Sequence, residues 1–274
     1  MPAATADRAA HFLELHRGTT PLLMPNAWDQ GSARLLASLG FDAIATTSSG
    51  FAATLGRLDY GVRRGEVLDH ARALVDAVEV PVSADMEDCF ANDAAGVADT
   101  VRLALESGLA GCSIEDWDSR AGQLYPIDVA TERVRAAAEA AHATSGARLV
   151  LTARAENHLH GVTDLADTIA RLQAYQEAGA DVLFAPGVDG EAELRELIAS
   201  VDLPVNVLAR GGTPTVPELA ALGVSRVSVG GAFAWVALGA AADAARELRE
   251  QGTYGYLQGA AAGIKAARAA FPAA

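Results

Sequence analysis

The sequence predicts a (β/α)8 barrel of the TIM type, on three observations. Short apolar runs alternate with longer amphipathic ones along the chain, a helix-ending glycine recurs at the joints, and acidic residues gather where the apolar runs stop. The first amphipathic stretch, about residues 5–16, carries Ala9, Phe12, Leu13 and Leu15 among charges and suits a leading helix. Apolar runs at 22–28, 43–49, 80–87, 111–117, 149–156, 181–185, 204–209 and 226–230 then read as strands, with helices at 30–39 and 64–78 opening the alternation.

The joints support this count. Gly40-Phe-Asp-Ala-Ile, Gly108-Leu-Ala-Gly-Cys-Ser-Ile, Gly179-Ala-Asp-Val-Leu and Gly223-Val-Ser-Arg-Val each place a glycine just before an apolar strand. Glycine after a helix accepts the left-handed conformation without steric cost, so each is a helix stop feeding a buried strand. Val80-Pro81-Val82 and Leu203-Pro204-Val205 enter their strands through proline. A doubly wound open sheet is the alternative, but the first strand ends in Pro25-Asn26-Ala27-Trp28 rather than a Gly-x-Gly-x-x-Gly turn. After the eighth strand, Ala-rich helices at 233–251 and 255–271 extend the chain; they suit either subunit contacts or a cover for the barrel end. No stretch resembles an interdomain linker, so residues 1–274 are expected to form one barrel domain.

Composition narrows the function. The chain of 274 residues is 51% hydrophobic, enough for a large core, and its net charge of -14 argues against nucleic acid or an anionic membrane as partner. Cys89 and Cys112 lack metal-ligand spacing and indicate neither a disulfide framework nor a zinc site. No leader-like N-terminal segment and no apolar run of about 20 residues occur, so a cytoplasmic enzyme is the expectation.

The chemistry is concentrated at the strand ends. In Val80-Pro-Val-Ser-Ala-Asp-Met-Glu-Asp88, Asp85 and Glu87 lie two residues apart, and a strand continuing to Glu87 would send both carboxylates to one face. Such a pair repels itself unless a proton or a cation lies between its oxygens. The next strand ends in Glu115 and Asp116, and the fifth carries Arg154, Glu156 and Asn157. The first two strands add Asn26, Asp29 and the run Thr46-Thr-Ser-Ser49, with Asp59 in the following loop; the seventh adds Asn206 and Arg210. Several acids and one central arginine then suit a hard cation, most simply Mg²⁺, beside an arginine that holds an anionic substrate. Taken one at a time, the same acids equally suit helix caps or solvated loops.

These residues carry a resemblance. Ala45-Thr-Thr-Ser-Ser-Gly50, Leu55-Gly-x-x-Asp59, Ser83-Ala-Asp-Met-Glu87, Ser113-Ile-Glu-Asp116, Ala153-Arg-Ala-Glu-Asn157 and Pro204-Val-Asn-Val-Leu-Ala209 resemble, in order and spacing, the isocitrate lyase/phosphoenolpyruvate mutase superfamily, on its phosphoenolpyruvate mutase-like branch. The resemblance runs from about Leu22 to Gly231. It implies a Mg²⁺-dependent barrel acting on small 2-oxo or 2-hydroxy carboxylates through an enolpyruvate-like intermediate, assembled as a homotetramer. By position it implies that Asp85 touches the metal directly, that Glu87 and Glu115 act mainly through metal-bound waters, and that Asp59 supports the same shell. Arg154, Asn206 and the backbone amides of Thr47, Ser48 and Ser49 would hold the substrate; Asp59, Arg154 and Glu115 would be the catalytic set.

Departures from the superfamily's patterns narrow the reaction. The loop Asp118-Ser-Arg-Ala-Gly-Gln-Leu-Tyr125 has no Lys-x-Cys-Gly-His segment and so lacks the catalytic cysteine of isocitrate and methylisocitrate lyases. Trp117 stands where the mutases have lysine, no Pro-Lys-x-Asn-Ser run follows, and Phe184-Ala-Pro-Gly187 replaces the lyase glutamate after strand six. Cleavage or decarboxylation of an oxaloacetate-like acid is what remains, with Tyr125, Arg120, His158 and His160 as acid/base candidates and Cys89 as a small core residue. Carbon-phosphorus chemistry is one alternative. A second is a sugar-phosphate isomerase or synthase binding phosphate at Gly211-Gly212 and Gly230-Gly231, and a third is a non-catalytic binding barrel. Residues 117–125, small and polar between strand and helix, are expected to form a lid.

Overall fold

A computed structural model describes residues 2–142 and 148–272. Helix α1 (Pro2–Leu15) leads into strands β1 (Leu22–Met24) and β2 (Asn26–Ala27) on either side of Pro25, then α2 (Gln30–Ser38), β3 (Ile44–Thr46), α3 (Ser48–Thr54) and α4 (Arg64–Ala77). Next come β4 (Val82–Asp85), α5 (Ala94–Glu106) and β5 (Gly111–Glu115), followed by a hairpin of β6 (Trp117–Asp118) and β7 (Gln123–Leu124) and by α6 (Ile127–His142). The remainder is β8 (Val150–Arg154), α7 (Leu165–Glu177), β9 (Val182–Phe184), α8 (Glu191–Ala199), β10 (Val205–Leu208), α9 (Val216–Leu222), β11 (Arg226–Ser228), α10 (Ala232–Gln251) and α11 (Leu257–Ala270).

The main sheet is parallel throughout, in the order β1-β11-β10-β9-β8-β5-β4-β3-β2. Its two ends are consecutive segments of one stretch. Leu22 pairs with Arg226 on one side of Pro25, and Asn26 pairs with Ala45 on the other. Proline has no N–H to give the ladder, so the first strand breaks there and switches partner, while the Pro25 carbonyl still accepts from Ala45 at 2.9 Å. The switch closes the sheet into the expected barrel.

The four glycine joints behave as the sequence requires: Gly40, Gly108, Gly179 and Gly223 have φ of 89°, 82°, 103° and 90°. Every strand is shorter than expected, and two stop early for evident local reasons. The second ends at Thr46 because Thr47 caps α3, accepting from the Gly50 N–H at 3.3 Å, so Ser48 and Ser49 begin a helix. The third ends at Asp85 because Glu87, Cys89 and Phe90 take left-handed φ of 48°, 60° and 55°. Strand alternation therefore stops before Glu87, and Asp85 and Glu87 are not a same-face pair.

Two apolar clusters hold the barrel. The larger lies between strands and surrounding helices, with Leu74, Ile114, Leu149, Leu172 and Leu183 fully buried. The smaller closes the barrel's amino-terminal end, where α1 inserts Phe12 among Leu22, Met24, Ala110, Val150 and Val182. Phe12 fits there because Gly111 has no side chain: a Cβ at that position would lie 2.8 Å from the Phe12 ring. Among the described residues no helix is long and apolar enough to cross a membrane. Replacing Phe12 with Ala leaves a hole that rigid strands cannot fill and is expected to cost about 3–5 kcal/mol. Urea denaturation followed by circular dichroism checks this; a loss below about 1 kcal/mol would mean that α1 is not a structural plug.

Candidate active site

Strand β4 delivers Asp85 and β8 delivers Arg154 to the carboxyl-end mouth of the barrel, where they border a cavity of about 170 Å³. Thr47, Ser48, Ser49, Asp59 and Asn206, all predicted from the sequence, also line it. Arg154 is the junction. Its Nη1 donates to Asp85 Oδ1 at 2.9 Å and lies 3.3 Å from Glu115 Oε2, while its Nε donates to Glu156 Oε1 at 2.8 Å. One guanidinium thus links three carboxylates, two of them buried. The other oxygen of Asp85 accepts the Ser48 N–H at 3.3 Å, and its backbone N–H donates to Thr46 Oγ1 at 2.9 Å, which ties β4 to the start of α3.

The electrostatics favour neutral or cation-bound acids. Burial pushes the Glu115 and Glu156 carboxyls up, and Arg154 pulls them back. Burial, and then the charge of Asp85, push Glu87 up to about 8. Asp59 sits at the open rim, yet crowding of its carboxyl by protein, followed by the Asp85 charge, raises it as well. Glu87 Oε1 and Glu115 Oε1 are buried without a hydrogen-bond partner. Such orphaned acceptors suit a nearby cation that would keep both groups ionised. Among the described residues no three His, Cys, Asp or Glu side chains cluster closely enough to cage an ion. Asp59 and Asp85 are the carboxylates that line the cavity, so they are the ones placed to meet a cation, with the neighbouring acids reaching it through water.

Glu87 and Glu115 are not in the cavity wall. Glu87 takes a left-handed backbone and its N–H donates to Asp85 Oδ1 at 3.3 Å, while its buried carboxyl still feels the charges of Asp85 and Asp59. Asp116 and Asp29 are structural: Asp116 accepts from Tyr175, Arg171 and the Glu156 N–H, and Asp29 caps α2. Both ends of the Asn206 amide are engaged, Nδ2 donating to Ser228 Oγ and Oδ1 accepting from Arg226 Nε, each at 2.9 Å. The expected lid, residues 117–125, is a hairpin tied down by Arg120, which donates to Asp88, to the Ala91 carbonyl and to Tyr125 Oη. Of the acid/base candidates, Tyr125 joins that knot and His160 stacks on Trp117 with ring centres 3.5 Å apart; none of Tyr125, Arg120, His158 and His160 lines the cavity. Of the glycines in the phosphate alternative, Gly230 has its N–H engaged: with that of Val229 it donates to Asn26 Oδ1, at 2.9 and 3.0 Å.

The sequence reading missed the lower half of the cavity. Ser83, Ser113, Thr152, Ser228 and Arg226 line it below Arg154, and His16, just after α1, reaches Arg226 from the floor. The available signal was the arginine inside the apolar run of the eighth strand, since a charge within a buried strand needs a reason.

Fold and site define a parallel α/β barrel enzyme with a polar, arginine-centred cavity at the carboxyl ends of its strands. The sequence profile of the phosphoenolpyruvate phosphomutase family matches residues 12–249, and the chain belongs to that family, within the isocitrate lyase/phosphoenolpyruvate mutase superfamily. A solved structure from Burkholderia cenocepacia J2315, described as a candidate lyase/mutase, is 49% identical over 93% of this chain and 92% of its own, with a TM-score of 0.90. An uncharacterised Mycobacterium tuberculosis protein is 36% identical over 87% of this chain and 89% of its own length. Oxaloacetate decarboxylase 2 of Pseudomonas fluorescens is 33% identical over 80% and 75%. The superfamily relatives include lyases of 2-methylisocitrate and of 2,3-dimethylmalate.

The floor titrates in a defined direction. His16 Nδ1 donates to the Phe12 carbonyl at 2.8 Å, which leaves Nε2 to accept from Arg226. Burial, then the Arg226 charge, lower its pKa from 6.5 to about 3, so it is neutral in the fold and takes up a proton only on unfolding. Its contribution is complete above pH 6.5 and is lost as pH falls toward about 3. His16→Gln, which keeps an acceptor but cannot titrate, is expected to flatten the fall in melting temperature across that window. An unchanged slope would contradict the assignment.

Proposed function

We propose that this protein is a Mg²⁺-dependent lyase that breaks a carbon-carbon bond, or decarboxylates, in a small 2-oxo or 2-hydroxy carboxylic acid, passing through the enolate of a pyruvyl group. The observation that carries the reading is Asp85 at the cavity mouth, joined through Arg154 to buried carboxylates with orphaned oxygens. The oxaloacetate decarboxylase relative supports the substrate class. Breaking a bond beside a pyruvyl carbonyl puts negative charge on the enolate oxygen, and the bound cation supplies the Lewis-acid charge that opposes it. Asp85 would hold that cation, with Asp59, Glu87 and Glu115 orienting its waters. Arg154 keeps its guanidinium plane fixed by three carboxylates and by the Phe184 ring, 5.3 Å away, and presents it to the substrate's anionic end. Thr47, Ser48 and Ser49, at the turn into α3, orient the carboxylate next to the reacting carbonyl.

The size of the cavity supports a small substrate. At about 170 Å³ it is large enough for a small carboxylic acid.

The reading also includes a homotetramer. Helices α10 and α11 leave Trp235, Val236, Leu238, Leu257 and Ile264 exposed, an apolar surface that suits a second copy of the chain. Light scattering at micromolar concentration is expected to give about four times the 28.2 kDa chain mass, and Val236→Glu is expected to reduce it. A wild-type mass equal to one chain would remove the assembly.

Calorimetric Mg²⁺ titration and pyruvate release from oxaloacetate test the reaction. Asp85→Ala is expected to abolish both. Glu87→Gln, whose amide oxygen can still accept from a metal-bound water, is expected to weaken binding about 10–100-fold. Unchanged Mg²⁺ affinity in a folded Asp85→Ala protein would remove the metal from this strand end and the enolate mechanism with it.

A further inference from the structure

The floor of the cavity holds a charge that none of the described residues balances. Arg226 opens β11, is 3% exposed, and lines the cavity below Arg154. Its hydrogen-bond partners are all neutral: Nε donates to Asn206 Oδ1 at 2.9 Å, Nη2 to Thr152 Oγ1 at 3.2 Å and Nη1 to His16 Nε2 at 3.2 Å. Among the described residues it has no carboxylate partner, and the charge it feels is the like charge of Arg154. Burial, and then Arg154, lower its pKa to about 9, which leaves it charged at neutral pH.

Two physical points make this cation a site rather than packing. A buried charge without a counter-ion costs several kcal/mol, and an apolar side chain of similar volume would avoid that cost. In barrels of this architecture the interior is normally filled by branched aliphatic residues, whereas here Ser83, Ser113, Thr152 and Ser228 leave polar space beside the guanidinium. Neutral partners use three of its five N–H groups, so two remain. His16 and Asn206 fix the plane of the group without neutralising it.

We propose that Arg226 is an anion subsite at the cavity floor, docking a second carboxylate of the substrate at the end opposite its 2-oxo or 2-hydroxy acid group, so that the substrate is a small dicarboxylate. This rests on the reading of the cavity as the substrate site. Asp85 and Arg226 border the same space, so one ligand can meet both. The terminal carboxylate is held in a charge-assisted pair that a methyl group cannot form.

Calorimetric binding of malate and of 2-hydroxybutyrate, in the presence of Mg²⁺ at neutral pH, tests the subsite, because the two acids differ only in a terminal carboxylate against a methyl. The wild-type protein is expected to prefer malate by at least about tenfold. Arg226→Met is expected to bind both acids equally, at the wild-type level for 2-hydroxybutyrate. Should that variant fail to fold, Arg226→Gln, which keeps a donor for Asn206 but no charge, carries the same expectation. A variant that retains the preference for malate, or a wild-type protein that shows none, overturns the subsite. Pyruvate release read in parallel separates the two readings: an Arg226-dependent preference without turnover of any 2-oxo or 2-hydroxy acid removes the lyase reading alone, and turnover without the preference removes the subsite alone.

Discussion

The mouth of this barrel depends on one charge balance, a single guanidinium set among carboxylates that water barely reaches. Asp85, Glu115 and Glu156 could not all ionise there unaided, because unscreened repulsion at such distances far exceeds what a fold can absorb. Arg154 offsets much of it and in doing so fixes the relative positions of β4, β5 and β8, whose ends carry the acids. The balance is incomplete among the described residues, as the orphaned oxygens of Glu87 and Glu115 show. Catalytic sites commonly hold such unfinished electrostatics, since the missing partner is the ligand.

The rest of the architecture keeps that balance rigid. The partner switch at Pro25 closes the sheet, so each strand end has a fixed neighbour, and the left-handed residues after Asp85 stop β4 where its carboxylate meets the mouth. Left-handed backbone at three non-glycine residues is costly, on the order of 1–3 kcal/mol each, and the cluster at Glu87, Cys89 and Phe90 persists because its surroundings hold it. Arg133 donates to the Asp88 carbonyl at 2.7 Å, Thr100 donates to the Cys89 carbonyl at 2.8 Å, and the Cys89 N–H returns to the Met86 carbonyl. Arg120 and Tyr125 bind Asp88 from the hairpin, so the turn that aims Asp85 and the segment over β5 are one hydrogen-bonded unit.

The barrel interior divides into three levels with different physics. Phe12 and its apolar neighbours seal the amino-terminal end. Above them lies a polar level of hydroxyls and amides around Arg226, and above that the charged level around Arg154. Arg226 feels the like charge of Arg154, but only Arg154 has carboxylates beside it.

The sequence by itself determined the barrel and most of the mouth. Strand and helix identity, the four glycine stops and the extra terminal helices rest on local rules of periodicity and backbone sterics, which neighbouring residues enforce. Asp85, Arg154, Asp59 and the Thr47 to Ser49 turn were legible because a barrel places every strand's carboxyl end in one mouth, so position along a strand suffices. Tertiary structure decided what depends on distant partners. Whether Glu87 follows Asp85 onto one face turned on a left-handed turn that alternation cannot foresee, and Asp116 became an anchor only because Tyr175 and Arg171 lie behind it. Arg226 stood in the sequence as one more strand residue. Its position as a buried cation among neutral partners exists only where β11, β8, β10 and the turn after α1 converge, because the lack of a counter-charge among the described residues is a property of the whole surrounding shell.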